Sequence, residues 1–178
     1  MNTMQLNTEH WQYLNDKPVA NGLLKQQVED FKVTEELGYS LSGEGEHIYI
    51  ELEKTQLNTA FVAEQLASFC GLPLRQVTYA GRKDKYAVTR QWLGLHVPGK
   101  AEFNWHEFTL EGTRILQVQR HNKKLRTGQL KGNTFEITLR DVSDPEAVIN
   151  RLNQAAQQGV PNYYGSQRFG IQRISESG

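Results

Sequence analysis

One carboxylate, Asp84, lies among cations in the stretch YAGRKDKYAV. It is flanked by Arg82, Lys83 and Lys85, and nearby positive charge favours the ionised form of a carboxyl group. An ionised carboxylate is poorly suited to donating a proton but well suited to acting as a nucleophile or a base. The pattern therefore predicts a reactive Asp84 with cations that can bind phosphates. The alternative is a polar turn around Gly81 whose charges only face solvent.

A second basic stretch, RILQVQRHNKKLRTGQLK, contains no acid at all, although the whole chain has 20 Lys and Arg against 20 Asp and Glu. Such segregation in a chain of zero formal charge is typical of a local phosphate-binding surface. A hairpin tip kept in solution by its lysines fits the composition equally well. The candidate contacts to a nucleic-acid backbone are Arg82, Lys83, Lys85, Arg120, Lys123, Lys124, Arg126 and Lys131.

A third segment, GVPNYYGSQRFG, places aromatic rings beside amide and guanidinium groups. A base that has left its stack needs these two kinds of contact, one for its face and one for its edge. The candidates are Tyr163, Gln167, Arg168 and Phe169. The alternative is a glycine-hinged loop whose aromatic side chains fill the core.

Composition narrows the class of protein. The chain has 178 residues, of which 38% are hydrophobic, enough for one domain, or one domain and part of another. Its single cysteine, Cys70, excludes a disulfide framework, and no Cys/His spacing resembles a zinc site. No leader-like start and no apolar run of membrane-spanning length occurs. We therefore expect a soluble, cytoplasmic protein that binds neither metal nor membrane.

Strand-like alternation of apolar and polar residues dominates the chain. Two stretches change to helical periodicity, one after Asn58 or Thr59 and ending near Gly71, the other after Asp144 and ending near Gly159. The predicted fold is α+β, with helices packed on one face of a mixed or antiparallel sheet. Its topology cannot be read from the pattern. The predicted strands are 30–34, 47–54, 76–80, 89–97, 108–111, 115–120 and 135–142.

Several long motifs, taken together and in this order, resemble the TruD family of pseudouridine synthases. They are GLLKQQVEDFKVTE, GEGEHIYIELEK, AGRKDKYAVTRQW, LKGNTF and NYYGSQRFG, and they run from about Gly22 to Gly170. The resemblance implies an enzyme that isomerises a uridine of transfer RNA to pseudouridine, at position 13 in the D arm. It implies the pseudouridine synthase catalytic core as the fold, and a reaction that needs no metal, nucleotide or redox cofactor.

The resemblance also implies roles for single residues. Asp84 matches the catalytic aspartate, whose carboxylate attacks the nucleoside so that the base detaches, rotates and rejoins through carbon. Lys25 matches the basic residue that pairs with it. Phe135 matches the ring that stacks on the target base, and Asn133 matches its polar neighbour; residues two apart on a strand share a face. Phe135 could instead be a core residue on the apolar face that Ile137 continues.

The chain departs from the family pattern in two respects. It has Val28 where the family usually has proline before its EDF motif, and it stops at Gly178, whereas family members continue through an inserted domain. The resemblance implies that residues 1–158 form the N-terminal part of the catalytic domain, that 159–178 begin the inserted domain, and that the full-length family is monomeric. A catalytically active chain, an RNA-binding fragment without turnover and an aspartate-dependent hydrolase are the three functional hypotheses.

Overall fold

The structure is a computed structural model, and it describes residues 13–99 and 101–162. The chain divides into two units, one formed by Leu23–Arg140 and the other by the residues on either side of it. Within these residues, short 3-10 helices lie at Val28–Asp30, Leu74–Gln76 and Trp105–Glu107. The strands are β1 (Leu23–Leu24), β2 (Phe31–Glu36), β3 (His47–Thr55), β4 (Val77–Tyr79), β5 (Val88–His96), β6 (Thr113–His121), β7 (Gly132–Ile137) and β8 (Leu139–Arg140), and the helices are α1 (Thr59–Phe69) and α2 (Pro145–Gln158).

The main sheet of Leu23–Arg140 has the strand order β6-β3-β5-β2-β7, with β4 also pairing with β5. Strand β2 runs parallel to β5, and the other pairs are antiparallel. Strand β2 pairs with residues 88–90 of β5 and β4 with residues 93–95, so both occupy the same edge of β5. Beyond Tyr79 this edge of β5 is occupied by β2, so the chain must leave the sheet there. Residues 80–87 pass over the sheet before β5 begins.

Helix α1 packs on the face of the sheet over which this loop passes. Val62 and Leu66 form one buried cluster with Ile50 and Leu93. The apolar stripe of the helix and the alternation of the strands produce this contact, because each places its apolar side chains on one side. The register of strands β3, β5, β2 and β7 shows that Phe135 and Asn133 of the exposed strand β7 lie on this same face of the sheet.

The opposite face holds a second cluster, which includes Tyr49, Trp92 and Leu125. Leu125 comes from the connection between β6 and β7, which crosses this face. A Cβ atom added at Gly94 would lie 2.9 Å from the Leu125 Cβ, so only glycine leaves room for this crossing.

The predicted α+β class with a mixed sheet is confirmed, and both helices lie where the periodicity predicts them. The Asp144 side chain caps α2 by accepting a hydrogen bond from the Ala147 N–H at 3.0 Å. Gly71 and Gly159 follow the helices with φ of 63° and 77°, a conformation that favours glycine.

The predicted strand 108–111 is wrong. The chain forms the 3-10 helix Trp105–Glu107 here and then a turn, in which the Thr113 N–H donates to the Leu110 carbonyl at 3.0 Å. The apolar alternation has another cause, since the Phe108 ring packs edge-on against Phe69 of α1 at 5.4 Å between centroids. The predicted strand 135–142 is divided into β7 and β8 at Thr138, whose N–H donates to the Asp30 carbonyl at 2.8 Å.

The second unit, as far as the structure describes it, joins α2 to the segment before β1. The Ser143 N–H donates to the Asn21 carbonyl at 2.9 Å, and the Asn21 N–H donates to the Ser143 hydroxyl at 3.0 Å. The Arg151 guanidinium donates to the carbonyls of Asn15 and Asp16. The division at 158/159 stays a prediction. Among the described residues, no helix is long and apolar enough to cross a membrane.

Candidate active site

An ion pair between Lys25 and Asp84 lies at the surface where the loop 80–87 passes over the sheet. The Lys25 Nζ is 3.2 Å from Asp84 Oδ1, and each side chain is 28% exposed, so a substrate can reach the carboxylate. Lys25 has φ of 55°, in the left-handed region that residues other than glycine seldom adopt. That conformation costs on the order of 1 kcal/mol, and such backbone strain is found most often at functional sites.

Two phenylalanine rings continue the site from Lys25 towards the edge of the sheet. The Lys25 Nζ lies 3.9 Å from the centroid of the Phe31 ring, a cation–π contact that orients the ammonium group. The Phe31 and Phe135 rings meet edge to face with centroids 6.1 Å apart, and Phe135 is 55% exposed. A ring that is supported on one side and open to solvent on the other can stack on a flat ligand.

Asn133 lies on the same face of β7 as Phe135. Phe135 pairs with Val33 of β2, and Asn133 pairs with Glu35. Asn133 is exposed whereas Glu35 is buried. The amide of Asn133 is therefore accessible from the same side as the open ring of Phe135.

Buried polar side chains support the loop that carries Asp84. The Lys83 ammonium forms an ion pair with Glu35, and their side chains are 6% and 0% exposed. The Glu35 Oε1 also accepts from the Trp92 N–H at 3.1 Å. The Lys83 N–H donates to the Thr59 hydroxyl at 3.0 Å. The prediction that Lys83 contacts a phosphate does not fit this burial, because its charge is directed into the protein and neutralised there.

Lys54 is the second buried lysine beneath the loop. It is 1% exposed, and its Nζ donates to the main-chain carbonyl of Asp84 at 2.8 Å. Burial lowers the pKa of the Lys54 ammonium to about 8; the Asp84 charge opposes this shift and the Lys83 charge adds to it. Burying an ammonium group costs free energy of folding, so packing alone does not explain why a lysine occupies this position.

Two other predicted phosphate contacts, Arg82 and Lys85, are exposed on the loop beside Asp84. The Lys85 Nζ lies 5.5 Å from the centroid of the Tyr86 ring, which is itself exposed. Both cations can therefore meet a backbone that approaches the Asp84 carboxylate.

The second basic stretch follows β6 and forms its connection to β7. Lys123, Lys124 and Arg126 are exposed there, and the Gly128 N–H donates to the Ala80 carbonyl at 2.7 Å. This bond brings the connection to the start of the loop that carries Asp84. The connection otherwise crosses the opposite face of the sheet through Leu125, so the approach of its cations to Asp84 stays a prediction.

Arg120 and Lys131 lie at the two ends of the same stretch. The Arg120 guanidinium donates to the carbonyls of Gly45 and Ala101. Arg120 pairs with Ile48, six residues before Lys54 on β3, which places it about 20 Å from the site at roughly 3.3 Å per residue. Lys131 has a side chain 72% exposed, with its Nζ 3.9 Å from a Glu36 carboxylate oxygen.

The sequence motifs did not single out four residues of this site, namely Phe31, Lys54, Glu35 and Thr59. A signal for Lys54 is present in HIYIELEK, because Ile48, Ile50 and Leu52 alternate on one face and the next residue on that face is a lysine. Phe31 has a weaker signal as the aromatic of the motif that also contains Lys25.

Four predicted base-binding residues, Tyr163, Gln167, Arg168 and Phe169, lie outside the described residues, and their roles stay predictions. Within residues 13–99 and 101–162, no group of three or more His, Cys, Asp and Glu side chains is arranged to hold a metal ion.

Two curated proteins that this chain resembles share one name. The tRNA pseudouridine synthase D of Pseudoalteromonas atlantica is 55% identical over 175 residues, which are 98% of this chain and 49% of that protein. The protein of the same name from Proteus mirabilis is 54% identical over 161 residues, 90% of this chain and 45% of the relative. The chain thus spans about half the length of the curated relatives that it matches.

A crystal structure from Methanosarcina mazei, assigned to tRNA pseudouridine synthase D (TruD), superposes with a TM-score of 0.71 at 30% identity. It covers 84% of this chain, which in turn covers 35% of that chain. The family model for tRNA pseudouridine synthase D (TruD) matches residues 7–177, nearly the whole chain. The chain belongs to the TruD family of pseudouridine synthases.

Proposed function

We propose that this chain carries the uridine-isomerising site of a tRNA pseudouridine synthase, with Asp84 as its nucleophile. The observation that carries the proposal is the accessible pair of Asp84 and Lys25 at 3.2 Å, beside the exposed Phe135 ring, in a chain of the TruD family. A reactive carboxylate, a cation that orients it and an open aromatic surface are the parts that attack on a nucleoside requires.

In the proposed reaction the Asp84 carboxylate attacks the nucleoside, and the bond between N1 of uracil and C1′ of the ribose breaks. The detached base rotates and forms a new bond from its C5 to C1′, and the bond that the Asp84 carboxylate had made to the nucleoside breaks, which frees the carboxylate. A proton leaves C5 and one is taken up at N1, so the product has the mass of the substrate. Lys25 balances the charge of the carboxylate and orients it, and Phe135 stacks on the base while it is detached.

The proposed substrate is a uridine of transfer RNA, at position 13 in the D arm. Such a base must leave its stack before it reaches Asp84, and contacts to the ring and the backbone offset that cost. Arg82 and Lys85 lie on the same loop as Asp84, and the exposed lysines of the β6–β7 connection supply further positive charge. If phosphates are bound in this way, affinity falls with salt with a log-log slope of about −0.7 to −0.9 per contact.

A second candidate function is RNA binding without turnover. It is favoured by the length of the chain, which covers 43–49% of its curated relatives. A site whose substrate cleft is closed by other segments could bind RNA here and lack the geometry for attack.

The experiment maps pseudouridine in unmodified transfer RNA by carbodiimide labelling and primer extension, after incubation with this chain. Asp84→Asn removes the nucleophile and keeps the size of the side chain. Asp141→Asn is the matched control, because Asp141 is exposed, is not one of the candidate site residues and has φ of 48°, which asparagine also adopts. RNA affinity is measured for all three proteins by gel shift.

We expect primer extension to stop at one D-arm uridine after incubation with the chain and with Asp141→Asn. With Asp84→Asn this stop should be absent, while the affinity for RNA is unchanged. RNA binding without any stop supports the second candidate. Appreciable product from Asp84→Asn removes Asp84 from the nucleophilic role. A released base or a cut strand identifies a hydrolase instead.

A further inference from the structure

The loop 80–87 places Asp84 without regular secondary structure of its own. Its internal backbone hydrogen bond joins the Ala87 N–H to the Lys85 carbonyl at 3.0 Å, and its start is held by Gly128 at Ala80. Side chains from other elements contact the main chain at Asp84 and at the residue before it.

Lys83 fixes the residue before Asp84 from two directions. Its side chain is buried against Glu35 of β2, and its N–H donates to the Thr59 hydroxyl at the start of α1. The Thr59 hydroxyl in turn donates to Gln91 Oε1 at 2.8 Å. These contacts hold Lys83, but they leave the carbonyl on the far side of Asp84 to another group.

Lys54 supplies that group from the end of β3. It pairs with Thr89 in the β3–β5 register and faces the loop, and its ammonium reaches the Asp84 carbonyl at 2.8 Å. The three preceding positions on its face, Ile48, Ile50 and Leu52, are apolar and buried.

An apolar side chain at position 54 would continue this face, and burying an ammonium group carries a desolvation cost that an apolar side chain of similar volume does not. Folding alone therefore does not account for a lysine at this position. Its contact with the residue that carries the carboxylate does account for it.

We propose that Lys54 is a positioning residue, whose buried ammonium holds the main chain at Asp84 so that the carboxylate is presented to the substrate. The inference rests on the proposed function, since it assigns Lys54 a role in the reaction of Asp84. It predicts that Lys54→Met folds with unimpaired stability, that the loop 80–87 becomes more mobile, and that the reaction becomes slower.

The experiment compares the chain with Lys54→Met and with Lys32→Met. Lys32 is a matched control, because it lies on the neighbouring strand β2 with a side chain 44% exposed and pairs with Glu136 at 2.7 Å. Three quantities are measured at pH 7: the thermal midpoint, the amide hydrogen exchange of peptides covering residues 82–87, and the single-turnover rate on saturating unmodified transfer RNA with the affinity for that RNA.

For Lys54→Met we expect a thermal midpoint equal to or above that of the parent chain and exchange at residues 82–87 at least tenfold faster, with exchange in β3 and β5 unchanged. The rate should fall about 10- to 100-fold with RNA affinity within twofold, because a small misplacement of a reacting group costs about this much. Lys32→Met should leave the loop exchange and the rate within twofold.

Unchanged exchange in the loop overturns the proposal, as does faster exchange with an unchanged rate. A variant that fails to fold overturns it too, since Lys54 is then a structural residue. If the parent chain forms no pseudouridine, the proposed function fails for this chain, and the exchange measurement alone decides whether Lys54 holds the loop.

Discussion

The buried ion pair between Lys83 and Glu35 allows a sharp prediction about stability. Lys83→Met removes the cation and leaves the Glu35 carboxylate, whose side chain is 0% exposed, with the Trp92 N–H as a neutral partner. Breaking a buried pair from one side typically costs about 3–5 kcal/mol, because a charge remains out of water without its counter-charge. Since about 1 kcal/mol shifts the midpoint of a protein of this size by roughly 2–4 °C, we expect a fall of about 6–20 °C.

The double variant Glu35→Gln/Lys83→Met is the decisive comparison. It removes both charges, and the glutamine carbonyl oxygen can still accept from the Trp92 N–H. Most of the stability lost in Lys83→Met should therefore return, leaving a net cost of about 1 kcal/mol or less. The free energy of unfolding is measured by urea denaturation followed by circular dichroism for the chain, both single variants and the double variant.

The two arms of this double-mutant cycle should be strongly non-additive, with a coupling of roughly 2 kcal/mol or more. A loss below about 1 kcal/mol in Lys83→Met would mean that Glu35 is not held as a buried charge. Additive losses would mean that the two side chains do not act on each other. Either result refutes the reasoning that Lys83 anchors the Asp84 loop through Glu35.

Three further predictions concern pH and the cation–π contact. Because the pKa of Lys54 is about 8 in the folded protein against an ordinary 10.5, the unfolded chain binds more protons in this window. The free energy of unfolding should therefore rise by up to about 3 kcal/mol between pH 8 and pH 10.5. The free energy of unfolding of Lys54→Met, measured by denaturation at the same pH values, should not show this rise. The slope has the same sign in acid for Asp30, whose pKa the Arg140 guanidinium lowers from 3.8 to about 2, so that the unfolded chain again binds more protons between these values. The stabilising contribution of Asp30 is full above pH 3.8 and is lost as the pH falls through 2, and denaturation of Asp30→Asn should not show this loss. Phe31→Leu should slow single-turnover isomerisation about 2- to 30-fold, the equivalent of a 0.5–2 kcal/mol cation–π contact to Lys25, and an unchanged rate would show that the ring does not orient the ammonium.

The amino-acid sequence by itself determined the class of the fold and the local position of most elements. Apolar residues that recur with a period of 2 or 3.6 indicate which side of a strand or helix is buried, even when the element that packs against that side is unknown. The same property explains the error at 108–111. There Phe108 alternates as in a strand but is packed against a helix without any strand partner.

The sequence also predicted Asp84, Lys25 and Phe135 as site residues, through motifs that are local strings of residues, and the structure brings the three together. It could not reveal that the ammonium of Lys83 is turned inward to Glu35, 48 residues away, or that Lys54 reaches the carbonyl of Asp84, 30 residues away. Only the tertiary structure decided these contacts. They arise because the parallel pairing of β2 with β5 forces the loop out of the sheet and over side chains from β2 and β3, and a local pattern carries no record of which strands become neighbours.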